Sequence, residues 1–282
     1  MIDETFVLGK VGALFLRLVK ERGALAAPVD PVQFASSCGV LNIEYRRMIP
    51  EAVLTAVEDG FIVYLQDNFI LPNRNKLRER FSLAHELAHT FFYDRSQEVP
   101  KPMKGSPRGE KLERLCHLAA SEILIPSPLL KKELEKRGKV ESAEALLAVA
   151  AHFDVSLEVL MRKLHESRLF QEEEFAAVLG DSVAGKQTIR TACYGSILLC
   201  NATQPKRGTD FKSWVLPLVP PTVGPGDTEW KHLTKTALIS ARKITRSHRT
   251  FILDLRFSPP PLHVGNKLPV ADHPYTDGRS HL

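Results

Sequence analysis

Apolar residues recur with helical spacing in the first forty residues of the chain. The spacing predicts one helix over residues 5–22 and a second over residues 28–40. In the second segment Asp30 is a candidate N-cap, Pro31 suits a first helical turn, and Gly39 is a typical helix stop. Two helices are therefore expected before any strand.

The pattern then changes to short runs rich in β-branched and aromatic residues, which predicts three strands. The runs read LNIEYRRM, AVLTAVEDG and FIVYLQDNF. The dipeptide Asp59-Gly60 separates the last two, and such a turn favours an antiparallel hairpin. The sequence therefore predicts a small antiparallel sheet.

Helical spacing returns from Asn75 and continues, with interruptions, to about residue 170. A helix is predicted in NKLRERFSLAHELAHTFFYD, followed by an irregular Pro- and Gly-rich loop. A largely apolar helix, KLERLCHLAASEILI, stops at Pro126, and a short charged helix covers residues 127–139. Residues 142–170 read as two helices around a short polar turn, the outline of a helix–turn–helix pair.

After about residue 182 the chain consists of short β-like runs split by Pro- and Gly-rich stretches. We therefore predict an α+β protein with three parts: residues 1–140, a helical segment at 141–181, and a smaller β-rich or mixed domain at 182–282. No internal repeat is visible in the sequence.

Composition limits the class of protein and its compartment. With 44% hydrophobic and 25% charged residues among 282, the chain is expected to be globular, and no apolar run reaches the ~20 residues of a membrane helix. Its first twenty residues lack the features of a secretory signal. The cysteines are far apart, without a CxxC pair, which favours a reducing compartment such as the cytoplasm. They are Cys38, Cys116, Cys193 and Cys200.

Charge is unevenly distributed along the chain. From residue 182 onward there are 14 Lys and Arg against 6 Asp and Glu, within a net charge of +5 overall. Such an excess can serve acidic partners such as DNA, but it is more often a solvated face. No zinc finger or aromatic–basic repeat supports nucleic-acid binding here.

The candidate chemistry lies in His85-Glu86-Leu87-Ala88-His89, an HExxH sequence within a predicted helix. Residues four apart share one helix face, so both imidazoles can reach one ion, and Glu86 can address a water on that ion. Two imidazoles and a carboxylate suit zinc. The sequence therefore predicts one zinc ion, with His85 and His89 as ligands and Glu86 as general base.

The third ligand is not fixed by spacing. Glu113 lies on the next predicted helix, beyond a loop that would let the two helices pack antiparallel. A carboxylate in an otherwise apolar helix is costly unless it is paired, and a cation would pair it. His117 lies one turn further along the same face, and Glu122 is on this helix too, so the residues alone leave all three open.

The segments RERFSLAHELAH and ERLCHLAASEILIP together resemble the ImmA/IrrE metallopeptidase family, and the likeness extends over residues 25–170. The resemblance implies a minimal thermolysin-like fold and a His, His, Glu zinc site whose carboxylate is Glu113. Three positions depart from the family pattern: Cys116 replaces an Ala, His117 an Asn and Ala119 a Phe. His117 is therefore expected either to orient a neighbour or to compete as a ligand, and neither Tyr93 nor His117 is chosen as an oxyanion stabiliser.

Two functions are consistent with these patterns. The first is a cytoplasmic zinc endopeptidase that cleaves a specific protein; the resemblance implies a DNA-binding repressor, whose cleavage switches on a stress or mobile-element response. The alternative is a DNA-binding regulator with a structural or vestigial metal site, in which Arg162, Lys163 and Arg168 would be the basic residues of the second helix of the pair. A helical hairpin that completes the peptidase core is the favoured interpretation of that pair. No membrane partner is expected.

Overall fold

The computed structural model describes residues 2–67, 76–137, 142–167 and 169, together with six strands between residues 175 and 258. The chain forms two compact units, one of residues 1–140 and 144–163, the other of residues 141–143 and 164–282. The helical segment predicted at 141–181 is divided between them. None of the described helices is long and apolar enough to span a membrane.

The first helix, α1 (Glu4–Arg22), confirms the prediction for residues 5–22. Asp3 caps its first turn by accepting a hydrogen bond from the backbone N–H of Phe6, and Gly23 ends it in the left-handed conformation at φ 84°. The apolar stripe, which the spacing identified, faces the interior of the first unit. Its buried members are Val7, Val11, Leu14 and Leu18.

The helix predicted over residues 28–40 is wrong in extent. Only Pro31–Phe34 forms a short 3-10 helix, which Asp30 caps through the N–H of Val32. The chain then leaves through a Schellman turn, in which Val40 donates to the Ala35 carbonyl and Gly39, at φ 77°, donates to Ser36. The predicted N-cap, Asp30, and the predicted stop, Gly39, are both confirmed.

A three-stranded sheet follows, made of β1 (Val40–Arg46), β2 (Ala52–Val57) and β3 (Gly60–Gln66). The hairpin predicted between the last two strands is confirmed, with Asp59 at φ 64° in its turn. The prediction of a wholly antiparallel sheet is wrong, because the order is β1-β3-β2 and β1 runs parallel to β3. The most buried strand, β3, takes the centre and leaves β1 and β2 at the edges.

Gly60 begins the central strand at a point where its backbone lies close to that of Gly39. A side chain at this position would collide with the carbonyl oxygen of Gly39, which accepts a hydrogen bond from the N–H of Phe61 at 3.0 Å. From there every second side chain points into the core, namely Phe61, Val63 and Leu65.

The larger remaining elements of the first unit are helices, as predicted. Between α2 and α3 lie a short 3-10 helix (Thr90–Phe92) and the two-residue strands β4 (Tyr93–Asp94) and β5 (Lys101–Pro102). The helices are α2 (Lys76–His89), α3 (Gly109–Leu124), α4 (Ser127–Arg137), α5 (Ala143–His152) and α6 (Leu157–Glu166).

A buried ion pair attaches α6 to α3. Lys163 is 2% exposed and its ammonium contacts the carboxylate of Glu122, which also accepts hydrogen bonds from the N–H and hydroxyl of Ser127 at the start of α4. A lysine held in this way is not available to a DNA backbone, which counts against the DNA-binding alternative and agrees with the favoured interpretation of a helical hairpin. Arg162 pairs with Glu158 on its own helix at 3.1 Å, and Arg168 lies outside the described residues.

The described part of the second unit is an antiparallel sheet of six strands, in the order β8-β7-β6-β11-β10-β9. The predicted β-like runs KQTIRTACYGSILLC and RTFILDLRF correspond to three of these strands, β7, β8 and β11. The strands are β6 (Phe175–Val183), β7 (Lys186–Tyr194), β8 (Ile197–Cys200), β9 (Thr228–Leu233), β10 (Leu238–Thr245) and β11 (Thr250–Ser258).

Candidate metal centre

Helices α2 and α3 bring together the three side chains that were predicted as metal ligands. His85 and His89 lie one turn apart on α2, and their Nε2 atoms are 3.1 Å apart. On α3, Glu113 places one carboxylate oxygen 3.1 Å from Nε2 of His85 and the other 3.8 Å from Nε2 of His89. One ligand atom from each residue lies within 4.8 Å of the other two.

The direction of packing explains why these residues meet. Glu113 contacts His85 and His89, whereas His117, one turn further along α3, contacts Phe81 and His85, one turn back on α2. The two helices therefore run antiparallel across the site, as the intervening loop allowed.

The donor set fits a small divalent cation. Ligands at about 2.0–2.1 Å around a tetrahedral zinc lie about 3.3 Å from one another, close to the separations of the His85, His89 and Glu113 atoms. Two nitrogens and one oxygen also match the usual ligand types of catalytic zinc. The arrangement can hold one ion and leaves a fourth position for water or substrate.

Burial keeps His85 and His89 neutral, which is the protonation state that binds a metal ion. Desolvation, reinforced by the positive charges of His89 and His117, lowers the pKa of His85 to about 3. Burial likewise lowers the pKa of His89, although the Glu113 carboxylate opposes this shift. Both imidazoles are therefore neutral at neutral pH, with lone pairs available to a cation.

Glu86 occupies a different environment on the same helix. Its side chain is 9% exposed, and it is not one of the three clustered ligands. Burial raises its pKa to about 7; a hydrogen bond from the backbone of Leu54 on β2 opposes the shift, and the Glu113 carboxylate adds to it. A carboxyl group with a pKa near neutrality can both accept and release a proton, as a general base requires.

The raised pKa predicts a pH-dependent stability of the metal-free protein. Folded Glu86 keeps a proton that the unfolded chain loses from pH 4.5 upward, so its contribution to stability falls as pH rises towards 7, by up to about 3 kcal/mol. Glu86→Gln abolishes this loss. The variant's free energy of unfolding, relative to wild type, should therefore increase between pH 4.5 and 8.

Urea denaturation of both metal-free proteins at several pH values measures this difference. His85 and His89 are present in both proteins, so the comparison isolates the change at position 86. A difference that stays constant over the whole range would contradict the raised pKa of Glu86.

The other candidate residues lie elsewhere or play another part. His117 is exposed and outside the ligand cluster, but its ring packs against that of His85 with centroids 4.8 Å apart. Glu122 is occupied by Lys163 and Ser127. Tyr93 packs edge-on against Phe61 at 5.2 Å.

Two contributors to the site were not identified from the sequence. The backbone of Leu54 carries no sequence signal, because any residue of an edge strand offers the same N–H group. Phe81 does carry one, since it precedes His85 by four residues and must share its helix face, and its ring stacks on that of His85 at 6.4 Å.

The part of the chain that carries this site is similar to a family of peptidases. Residues 60–165 match the Peptidase_M78 family, described as the IrrE N-terminal-like domain. This region contains α2 to α6 apart from the last residue of α6, and it is similar to the ImmA/IrrE family, which implies a bound metal ion.

Two individual proteins are also similar to this chain, each with modest sequence identity or partial coverage. The radiation response metalloprotease IrrE of Deinococcus radiodurans is 34% identical over 82 residues, which make up 28% of this chain. The match spans 25% of that relative's length. A Mycobacterium tuberculosis transcriptional regulator aligns over 90% of this chain and 80% of its own with 10% identity and a TM-score of 0.43, too low to establish a shared fold.

Proposed function

We propose that this protein is a zinc-dependent endopeptidase with a minimal thermolysin-like catalytic domain. The observation that carries the proposal is the cluster of His85, His89 and Glu113, with the buried Glu86 carboxylate one residue from His85. A structural metal site has no use for a general base beside a vacant coordination position, whereas a hydrolase needs one.

His85, His89 and Glu113 are the proposed zinc ligands, and Glu86 is the proposed catalytic base. A zinc ion held by these three residues would supply Lewis-acid chemistry at the scissile carbonyl and would lower the pKa of a bound water towards ~7. Glu86 takes the proton from the attacking water and delivers it to the leaving amine. Burial keeps the pKa of the Glu86 carboxyl near neutrality, as both proton transfers require.

Strand β2 offers a place for an extended substrate. The N–H of Gln66 donates to the carbonyl of Glu51, so hydrogen-bonded pairs between β2 and β3 alternate from there. By that alternation the backbone groups of Ala52, Leu54 and Ala56 point away from β3, and the hydrogen bond from Leu54 to Glu86 agrees with it. A peptide that pairs with this edge would pass beside the catalytic carboxylate.

The proposed substrate is a specific cytoplasmic protein, most simply a DNA-binding transcriptional repressor. This part of the proposal rests on the family, in which one relative is named a radiation response metalloprotease. Cleavage of a repressor would switch on a stress or mobile-element response. The burial of Lys163 removes one of the basic residues on which the DNA-binding alternative depended.

Comparing cellular protein N-termini tests the proposal. Cells that produce the wild-type protein should contain new N-termini, from one or a few proteins, that are absent from cells with Glu86→Gln. Glu110→Gln, an exposed glutamate in the first turn of α3, is the matched control and should retain the cleavages. Identical N-termini with wild type and Glu86→Gln would contradict a peptidase that works through this carboxylate.

A further inference from the structure

The ring of His117 belongs to an aromatic cluster around His85. Its centroid is 4.8 Å from that of His85 at an interplanar angle of 88°, and 5.5 Å from that of Phe81 at 78°. Phe81 in turn lies nearly parallel to His85, at 28° and 6.4 Å. Edge-to-face and offset-stacked contacts over these distances are the favourable geometries for ring pairs.

Among the described residues, none forms a hydrogen bond with Nδ1 of His85, the ring nitrogen that does not face the other two ligands. Its Nε2 atom faces Glu113 and His89, while Nδ1 is buried and has no hydrogen-bond partner in the described part of the chain. A metal-ligating imidazole normally donates its second N–H to a carboxylate or a carbonyl, and this hydrogen bond orients the ring. Here another interaction has to supply the orientation.

We propose that His117 is a positioning residue that holds the His85 ring in its metal-binding orientation by edge-to-face packing, together with Phe81. The inference rests on the proposed zinc site. His117 shares its face of α3 with Glu113, so one helix provides both a ligand and the ring that orients a second ligand. In this role the shape of the ring matters, and its nitrogen atoms do not.

This assignment separates His117 from the two roles left open by the sequence. As a third ligand it would need a nitrogen among the clustered donor atoms, and that cluster consists of His85, His89 and Glu113. As a hydrogen-bonding neighbour it would need a contact to a ligand's free ring nitrogen, and Nδ1 of His85 has no hydrogen-bond partner among the described residues. Ring packing is the interaction that the structure records between them.

Three substitutions of His117 separate the effect of the ring's shape from the effect of its nitrogen atoms. His117→Phe keeps a ring and removes both nitrogens, His117→Ala removes the ring, and His117→Asn keeps a polar side chain without an aromatic ring. Zinc affinity, measured by competition with a chromophoric chelator, should stay close to wild type in the Phe variant. It should fall about tenfold in the Ala and Asn variants, as for other residues that orient a metal ligand.

Cobalt substitution adds a spectroscopic signature, because the visible bands of Co²⁺ depend on the geometry of its ligands. The Phe variant should reproduce the wild-type spectrum, and the Ala and Asn variants should shift it. Arg114→Ala is the control, since Arg114 is exposed on the same helix and pairs with Glu4. An affinity loss in His117→Phe equal to that in His117→Ala would overturn the proposal, as would wild-type affinity in His117→Ala.

Aromatic ¹H–¹³C spectra of the metal-free proteins provide a readout that does not require zinc. The ring resonances of His85 should move in His117→Ala and remain near their wild-type positions in His117→Phe. Unchanged His85 resonances in His117→Ala would overturn the positioning role. A wild-type protein that binds no zinc would instead contradict the proposed function, and these spectra would still decide whether His117 holds the ring.

Discussion

Replacing Glu86 by glutamine is expected to lower kcat about a thousandfold while zinc stays bound, since general acid–base groups typically contribute 10²–10⁴. The glutamine has nearly the same volume and its amide oxygen can still accept the hydrogen bond from Leu54, so the local packing should survive. What it loses is the ability to take a proton from the attacking water.

The measurement is kcat on the protein substrate identified from the cellular N-termini, with metal content determined on the same samples. Glu110→Gln makes the same chemical change at an exposed position of α3 and should keep wild-type activity. Activity retained in Glu86→Gln, with zinc bound, would remove this residue from the mechanism.

Removing the carboxylate ligand has the second large effect. Glu113→Ala is expected to weaken zinc binding by at least about a hundredfold, the upper end of the loss for residues that only support a ligand. It deletes both an oxygen ligand and the negative charge next to His85 and His89. Activity at ordinary zinc concentrations should fall with the affinity.

Chelator competition measures this affinity, and Glu110→Ala is the control for an uninvolved glutamate on the same helix. Because Glu113 is 52% exposed, its loss should cost the metal-free protein little stability, which separates a ligand defect from misfolding. Tight zinc binding in Glu113→Ala would mean that another residue completes the site.

Local patterns predicted the elements of the first unit better than their pairing. Apolar spacing and Pro126 placed α3, and Asp59-Gly60 placed the turn between β2 and β3. The sequence did not predict the parallel pairing of β1 with β3, because the order of strands depends on which strand buries the most side-chain surface at the centre of the sheet. The surface that each strand buries is set by contacts with residues distant in the sequence.

The burial of Lys163 also depends on long-range pairing. In the DNA-binding alternative, its position on an amphipathic helix with other basic residues made it a candidate DNA contact. Its partner, Glu122, lies 41 positions earlier in the chain, on a helix whose apolar character did indicate that a charge there needs a counter-charge. The sequence signalled the need for a partner but not its identity.

For the site, helical spacing alone was enough to place His85 and His89 together, because residues four apart share a face on any helix. The third position was open between Glu113, His117 and Glu122 until a family motif favoured the first. The structure brings Glu113 to the two histidines and places His117 against the ring of His85. The contact from Leu54 to Glu86 depends on tertiary packing and could not be read from either segment.

Elemental analysis of wild-type protein, purified without chelators or a histidine tag, tests the central claim most directly. The account predicts about one zinc per chain, because a catalytic site of this type binds a single ion. A wild-type protein without bound metal, even after incubation with zinc, would contradict both the proposed site and the peptidase mechanism built on it.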